Sequence, residues 1–151
     1  MYGMEEERCT LFSFTTSFTV AAVLHFMCAL SGCFALVFPV IPAVVFFLEG
    51  NPSVKLACVH TGVVALIGAA LEAVPTILWL ILLAVFKGQG AVFAIITLIY
   101  IGLMLMVFAS LIVVEGSCGM KSLRKERVEL PFITPWVMKI AQKLPGFDMG
   151  F

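Results

Sequence analysis

The side chains of this 151-residue chain that are best placed for chemistry are three ionisable groups inside long apolar runs: His25, His60 and Glu72. A carboxylate or imidazole in such a setting can form part of a proton or cation path, and an imidazole can ligate haem or chlorophyll. The same groups can also serve as hydrogen-bonded contacts between helices. The chain contains no GxSxG, HExxH, Walker or GxGxxG motif. The sequence therefore predicts neither an enzyme nor a metal site.

Glu72 lies three residues before Pro75, on a helical face of small side chains. At steps of three or four residues, its neighbours on an ideal helix are Thr61, Ala65, Gly68, Ala69 and Thr76. Small residues let helices approach closely, and acids inside a membrane nearly always face a bundle interior or a watery cavity. We therefore expect Glu72 to face another helix rather than lipid.

The first apolar run has a similar face, whose members are Ser17, Ala21, His25, Cys28 and Gly32. His25 and Glu72 each lie near the centre of their runs, so antiparallel helices would bring both to the bilayer midplane, where they could touch. We favour a packing contact over a proton path, because a relay needs a chain of polar groups. The third apolar run offers only Thr97, Tyr100 and Ser110.

His60 lies near one end of its run. We expect it to differ in depth from His25 by roughly 15 Å at a rise of 1.5 Å per residue, so one haem held by both histidines is not expected. Either histidine could still be a single axial ligand of a haem or chlorophyll shared with another subunit. Apart from this alternative, the sequence predicts no cofactor, only bound lipid.

The composition places these side chains in a membrane protein. The chain is 62% hydrophobic and 12% charged, with a mean hydropathy of +1.15, whereas soluble domains have about 45–50% apolar and 25% charged residues. The forty residues between Arg8 and Glu49 carry no Asp, Glu, Lys or Arg, and Glu72 is the only such residue in the runs 56–86 and 88–114. Since about 20 apolar residues cross a bilayer as a helix, we expect an all-α integral membrane protein.

The number of spans depends on the first run, which is too long for one straight helix. One solution is a single span over residues 12–37, broken where Pro39 and Pro42 each remove a backbone donor, with residues 43–48 as a re-entrant or interfacial extension. The alternative is a hairpin that turns at residues 30–33 and gives four spans. We favour three spans, joined by tight turns at residues 49–55 and 87–90.

The basic residues predict the orientation. In the three-span topology Arg8 and Lys87 lie on one side, and the other side carries Lys55, Lys121, Arg124, Lys125, Arg127, Lys139 and Lys143. The positive-inside rule therefore places the C-terminus inside, towards cytosol, matrix or stroma. The acidic start of the chain is unlike a secretory or mitochondrial targeting segment. We rank the mitochondrial inner membrane slightly above thylakoid, endoplasmic reticulum and plasma membrane.

The sequence divides into a transmembrane helical bundle with an acidic leader, residues 1–114, and a basic juxtamembrane segment with an interfacial tail, residues 115–151. In the tail, Thr134 and Pro135 are typical of a helix start and predict a short amphipathic helix at the membrane surface. Contacts with lipid headgroups or a partner are expected from Lys121, Arg124, Lys125, Arg127, Trp136, Lys139 and Lys143. The five cysteines lack metal-ligand spacing, and Cys118 is a candidate for S-acylation.

The leading hypothesis is a non-catalytic accessory subunit of a larger membrane complex, such as a respiratory or ATP synthase complex. Its expected partners are other integral membrane subunits and anionic lipids, with no nucleic acid and no soluble small-molecule substrate. The first alternative is a small channel or transporter subunit with a proton or cation site at Glu72 and His25. The others are a subunit that ligates pigment or haem and a free-standing tetraspan protein.

Overall fold

The computed structural model describes residues 16–30, 38–86, 90–126, 128–130 and 132–144. These residues form five α-helices joined by turns: α1 Ser17–Leu30, α2 Val40–Leu48, α3 Pro52–Val85, α4 Gly90–Leu123 and α5 Thr134–Ala141. The described ranges contain no β-strand, so the prediction of an all-α protein is confirmed.

The two longest helices, α3 and α4, form an antiparallel hairpin. Thr76 Oγ1 lies 3.3 Å from the Tyr100 hydroxyl, and Trp79 Nε1 donates to Thr97 Oγ1 at 3.4 Å. Each helix has 34 residues, a length of about 51 Å at 1.5 Å per residue, which exceeds the hydrocarbon thickness of about 30 Å. Both helices are long and apolar enough to cross a membrane.

The shorter helices cover only one half of this hairpin, which we call the packed half: residues 52–69 of α3 and 111–123 of α4. α1 packs against both long helices there, and α2 and α5 pack against α3. The shared core consists of Val20, Ala21, Leu24, Phe46, Val54, Ala57, Cys58, Val59, Val137 and Ala141. In the exposed half, residues 70–85 and 90–110, many apolar side chains of both helices face outward. Exposed apolar area of this extent is rare on soluble proteins and is compatible with a membrane protein.

The chain reverses direction between α1 and α2. α1 is parallel to α3, since Ser17 and Ser53 line one cavity at the starts of the two helices. α2 is antiparallel to α3, since Phe46 near its end clusters with Val54 near the start of α3. The proline segment therefore begins a helix that turns back along the bundle. The described helices of 14 and 9 residues are shorter than the minimum for a span, about 17 residues, and the described residues contain two helices of spanning length, α3 and α4, so neither three nor four spans is confirmed.

Polar groups organise the turn from α2 into α3, where a tight turn was expected. The Glu49 carboxylate accepts the backbone N–H groups of Gly50 and Asn51 at 3.0 Å. Asn51 in turn caps α3 by accepting the N–H of Ser53 at 2.9 Å, a common stabilising arrangement at a helix start. Because Glu49 and Asn51 are both buried, this turn is an integral part of the packed half.

α4 runs through the boundary expected at residue 114. It ends in a Schellman cap, in which Lys125 adopts a left-handed conformation with φ of 59° and Glu126 donates its N–H to the Lys121 carbonyl. α5 forms where the short C-terminal helix was predicted. Thr134 does not cap it, because its hydroxyl accepts the N–H of Leu130 at 2.8 Å instead.

Candidate metal centre

Three buried ionisable side chains, one each from α1, α3 and α4, meet in the packed half, and we call them the His–Glu cluster. His25 Nδ1 lies 2.6 Å from Glu115 Oε2, and His60 Nδ1 lies 3.9 Å from Glu115 Oε1. The two imidazole rings meet edge to face, with their centroids 5.3 Å apart. His25, His60 and Glu115 are 1%, 4% and 0% exposed. The cluster is therefore part of the protein interior.

The three side chains meet because they lie at the same level of the bundle. His25 and His60 are each eight residues from the first residue of their helices, and Glu115 is eight residues from the last residue of α4. α1 and α3 are parallel to each other and antiparallel to α4. All three groups therefore lie about 12 Å from one end of the bundle at a rise of 1.5 Å per residue.

Close approach of α1 and α4 brings His25 within hydrogen-bond range of Glu115. Most of the face of α4 that is buried here has small side chains: Cys118, Gly119 and Ser122. A Cβ atom added at Gly119 would lie 3.0 Å from two carbons of the Phe26 ring. A glycine at this position therefore sets the spacing between the two helices on which the short His25–Glu115 contact depends.

The cluster leaves hydrogen-bonding capacity unused. Neither ring nitrogen of His60 has a hydrogen-bond partner within the described ranges, and neither does Glu115 Oε1. A buried polar group without a partner costs about 1–3 kcal/mol, and a charged one costs more. Buried polar groups are paired in most proteins, so these three atoms call for a further binding partner.

The unpartnered atoms belong to residues that bind transition metals. Two imidazoles and one carboxylate are a common three-ligand set for Zn²⁺, and the same set binds non-haem Fe²⁺. One ligand atom from each residue of the cluster lies within 4.8 Å of the others. Bonds of about 2.0–2.2 Å place tetrahedral ligands roughly 3.4 Å apart, so side-chain adjustments on the order of 1 Å would close the site. The residues present thus fit a divalent transition metal.

The difference in depth expected between His25 and His60 is wrong. The position of a residue within its apolar run does not give its depth in the bundle. Depth depends on where each helix begins, and α1 and α3 begin at Ser17 and Pro52, eight residues before His25 and His60. A porphyrin held between the two imidazoles is still not supported, because the rings are in direct contact. Axial ligation of haem or chlorophyll by one histidine alone stays a prediction.

A cavity of about 280 Å³ lies between the cluster and one end of the bundle. We call this end, which holds the starts of α1 and α3 and the end of α4, the near end. Its walls include Ser53 and Ser122 close to the helix ends, and His25 and His60 at its inner end. The cavity places two of the three prospective ligands next to open space.

Glu72 does not join the cluster. It is half-buried on α3, twelve residues beyond His60, which corresponds to about 18 Å along the helix. The carboxylate that contacts His25 is Glu115, so the contact between His25 and Glu72 that the sequence allows does not form. Glu72 and Glu115 both lie on long apolar helices. The position at which α1 packs decides which of the two carboxylates contacts His25.

The other residues of the small-residue face lie between α3 and its neighbours. Thr61 and Gly68 are buried, and Thr76 contacts the Tyr100 hydroxyl of α4. Gly32, the small residue predicted on the first run, lies outside the described residues. Polar contacts in the exposed half therefore join α3 to α4 directly, as expected for helices that pack in a membrane.

The predicted surface residues are exposed where the structure describes them: Lys121, Arg124, Lys125, Trp136, Lys139 and Lys143. Arg127 lies outside the described residues. The interfacial helix α5 does not rest on lipid or a partner alone, because Val137 and Ala141 are buried against the start of α3. Cys118, considered for S-acylation, is only 2% exposed.

Sequence reasoning missed Glu115, the acceptor of the cluster. Glu115 follows directly after the apolar run 88–114, and this position predicts a place in the juxtamembrane segment. Its spacing contained a usable pattern, since Leu111, Glu115, Cys118 and Ser122 continue a helical face at steps of four, three and four residues. Extending the helix through that face would have placed Glu115 inside the bundle.

Comparisons with known proteins do not assign a role to this cluster, since no protein family, characterised protein or solved structure matches the chain.

Proposed function

We propose that this chain is a helical membrane protein that binds one divalent transition metal ion, of the Zn²⁺ class, at the His–Glu cluster. One observation carries the proposal: within the described ranges, His60 is buried with no hydrogen-bond partner for either ring nitrogen, beside an oxygen of Glu115 that also has none. A cluster that only joined helices would pair these atoms with each other. A bound metal ion satisfies a nitrogen of His60 and the Glu115 oxygen at once.

The chemistry of binding follows from the contact between His25 and Glu115. The two side chains form a hydrogen bond of 2.6 Å, and a metal ion would take the place of the hydrogen that joins them. Metal binding therefore releases protons and strengthens as the pH rises, as for other sites with imidazole and carboxylate ligands. Since the ligands come from three helices, the ion stabilises the packed half and needs no catalytic role.

Metal content of the full chain tests the proposal. The protein is purified in mild detergent, stripped with a chelator and titrated with Zn²⁺ by calorimetry, and bound metal is counted by mass spectrometry. We expect one ion per chain, lost in His60→Leu and Glu115→Gln. Glu72→Gln is the matched control, because it removes a carboxylate of α3 outside the cluster. Wild-type protein without a bound ion, or His60→Leu with full occupancy, would refute the proposal.

A second proposal is that the chain is a non-catalytic accessory subunit of a larger membrane complex. The exposed half of the hairpin supports it, since little of the most apolar stretch of α3 or α4 is buried by the chain itself. Phe132 and Trp136, which are 86% and 68% exposed, add apolar surface near α5. Native mass spectrometry of solubilised membranes should show a stoichiometric partner subunit. A chain that migrates alone in mild detergent would contradict this proposal.

The proposed location is the inner mitochondrial membrane, with the C-terminus inside. The distribution of basic residues supports this orientation, including Lys121, Arg124 and Lys125 at the end of α4, and the mitochondrial membrane is only slightly favoured over the thylakoid, endoplasmic reticulum and plasma membrane. Protease protection on isolated organelles, with an epitope at the C-terminus, tests both the organelle and the orientation. An epitope cleaved before the inner membrane is opened would contradict the orientation.

A further inference from the structure

We propose that the metal ion of the His–Glu cluster is exchangeable and enters as a hydrated divalent cation through the cavity at the near end of the bundle. This inference rests on the proposed metal-binding function. It goes beyond that function because a buried structural ion needs no route to water.

The cavity spans the depth between the end of the bundle and the cluster. Ser17, Ser53 and Ser122 line it within one residue of the ends of α1, α3 and α4. His25 and His60 line it eight residues deeper, about 12 Å along the helices. The lining therefore extends over the whole distance that an entering ion must cover.

The size and the walls of the cavity suit a hydrated ion. Its volume is about 280 Å³, which is large enough to hold several waters. Most of the wall is apolar and includes Phe18 and Leu56, and the hydroxyls of Ser17, Ser53 and Ser122 give the waters polar partners along it. A divalent cation can keep water ligands in this space until it reaches the imidazoles.

The cavity reaches the imidazole side of the cluster, and both His60 ring nitrogens are buried just behind its wall. His25 and His60 form part of the cavity wall, whereas Glu115 does not. The carboxylate therefore lies behind the imidazoles as seen from the cavity. Three protein ligands leave one position of a tetrahedral ion to water or another small ligand, and a rotation of the His60 side chain that turned a buried ring nitrogen towards the cavity would bring that position next to open space.

The outer end of the cavity carries a group that attracts cations. Glu126 follows the cap of α4, is exposed and lines the cavity. Ser53, in the first turn of α3, is also exposed and marks the opposite side of the entrance. A carboxylate at an entrance raises the local concentration of cations, most strongly at low salt.

The test is the rate of metal exchange, measured separately from affinity. Zn²⁺-loaded full chain in detergent is mixed with an excess of a chromophoric chelator, and Zn²⁺ uptake by stripped protein is followed by stopped flow. We expect Ser53→Trp to slow release and uptake alike by about tenfold, within the range over which association rates at one site vary, and to leave the Kd unchanged. Ser117→Trp is the matched control, since Ser117 is an exposed serine on α4 that does not line the cavity.

A second variant keeps the test independent of how Ser53→Trp folds. Glu126→Gln should slow uptake at low salt and have little effect at high salt, whereas Glu129→Gln, an exposed acid outside the cavity wall, should have little effect at either. Wild-type exchange rates in both Ser53→Trp and Glu126→Gln would overturn the entry route while metal binding itself stands. A wild-type chain that binds no Zn²⁺ overturns the route and the proposed function together.

Discussion

Replacing His60 with leucine should stabilise the metal-free protein. The imidazole is 4% exposed and neither ring nitrogen has a partner in the described part of the chain. Leucine removes those polar atoms and keeps an apolar side chain in place. Since an unsatisfied buried polar group costs about 1–3 kcal/mol, the free energy of unfolding of metal-free His60→Leu should exceed that of the wild type by about this amount.

The same substitution at His25 should have the opposite effect. His25 forms the 2.6 Å contact with Glu115 Oε2, and Glu115 Oε1 already has no partner in the described ranges. Leucine at position 25 would leave a buried carboxylate without a partner on either oxygen. Removing one partner of a buried ion pair costs about 3–5 kcal/mol. His25→Leu should therefore lower the free energy of unfolding, whereas His60→Leu should raise it.

Zn²⁺ should reverse the advantage of His60→Leu. An ion that binds only the folded state at one hundred times its Kd stabilises it by about 2.7 kcal/mol, and this gain should appear in the wild type and vanish in His60→Leu. The assay is denaturant unfolding of the purified chain in mild detergent, followed by circular dichroism with Zn²⁺ or with chelator. If metal-free His60→Leu loses as much stability as His25→Leu, or if Zn²⁺ stabilises it as much as the wild type, the reasoning is refuted.

Two further predictions concern residues around the cluster. Gly119→Ala should lower the free energy of unfolding by about 1–3 kcal/mol through overpacking against Phe26, and it should weaken Zn²⁺ binding by moving α1 away from α4. Gly116→Ala is the control, because a Cβ atom at position 116 meets nothing within 4 Å. Alanine is favoured over glycine in helices by about 1 kcal/mol, so this variant should not lose stability. Equal effects of the two substitutions in the unfolding and calorimetric assays would contradict the packing account. Cys118, being 2% exposed, should react with maleimide only after unfolding and should carry no acyl chain in protein from membranes, as read by intact mass. Rapid labelling of Cys118 in the folded protein would show that this face of α4 is open.

The helical class, the α3–α4 hairpin and the short C-terminal helix follow from local patterns. Long uncharged runs require helices of membrane-spanning length, because backbone polar groups need internal partners in lipid. The turn at Glu49 and Asn51 and the helix after Thr134 likewise depend on residues close in sequence. The path of the first apolar run does not follow in this way, because a hairpin and a kinked span share the same local hydropathy.

The candidate site is decided by contacts between segments that are distant in the chain. Sequence alone shows His25, His60 and Glu72 inside apolar runs and Glu115 directly after one, and it does not contain the relative heights of the helices. Helix starts at Ser17 and Pro52 set both histidines at one level. The antiparallel course of α4 brings Glu115 to the same level, and close packing at Gly119 closes the distance to α1. Local sequence thus determined which groups are available, and only the register between helices decided which of them meet.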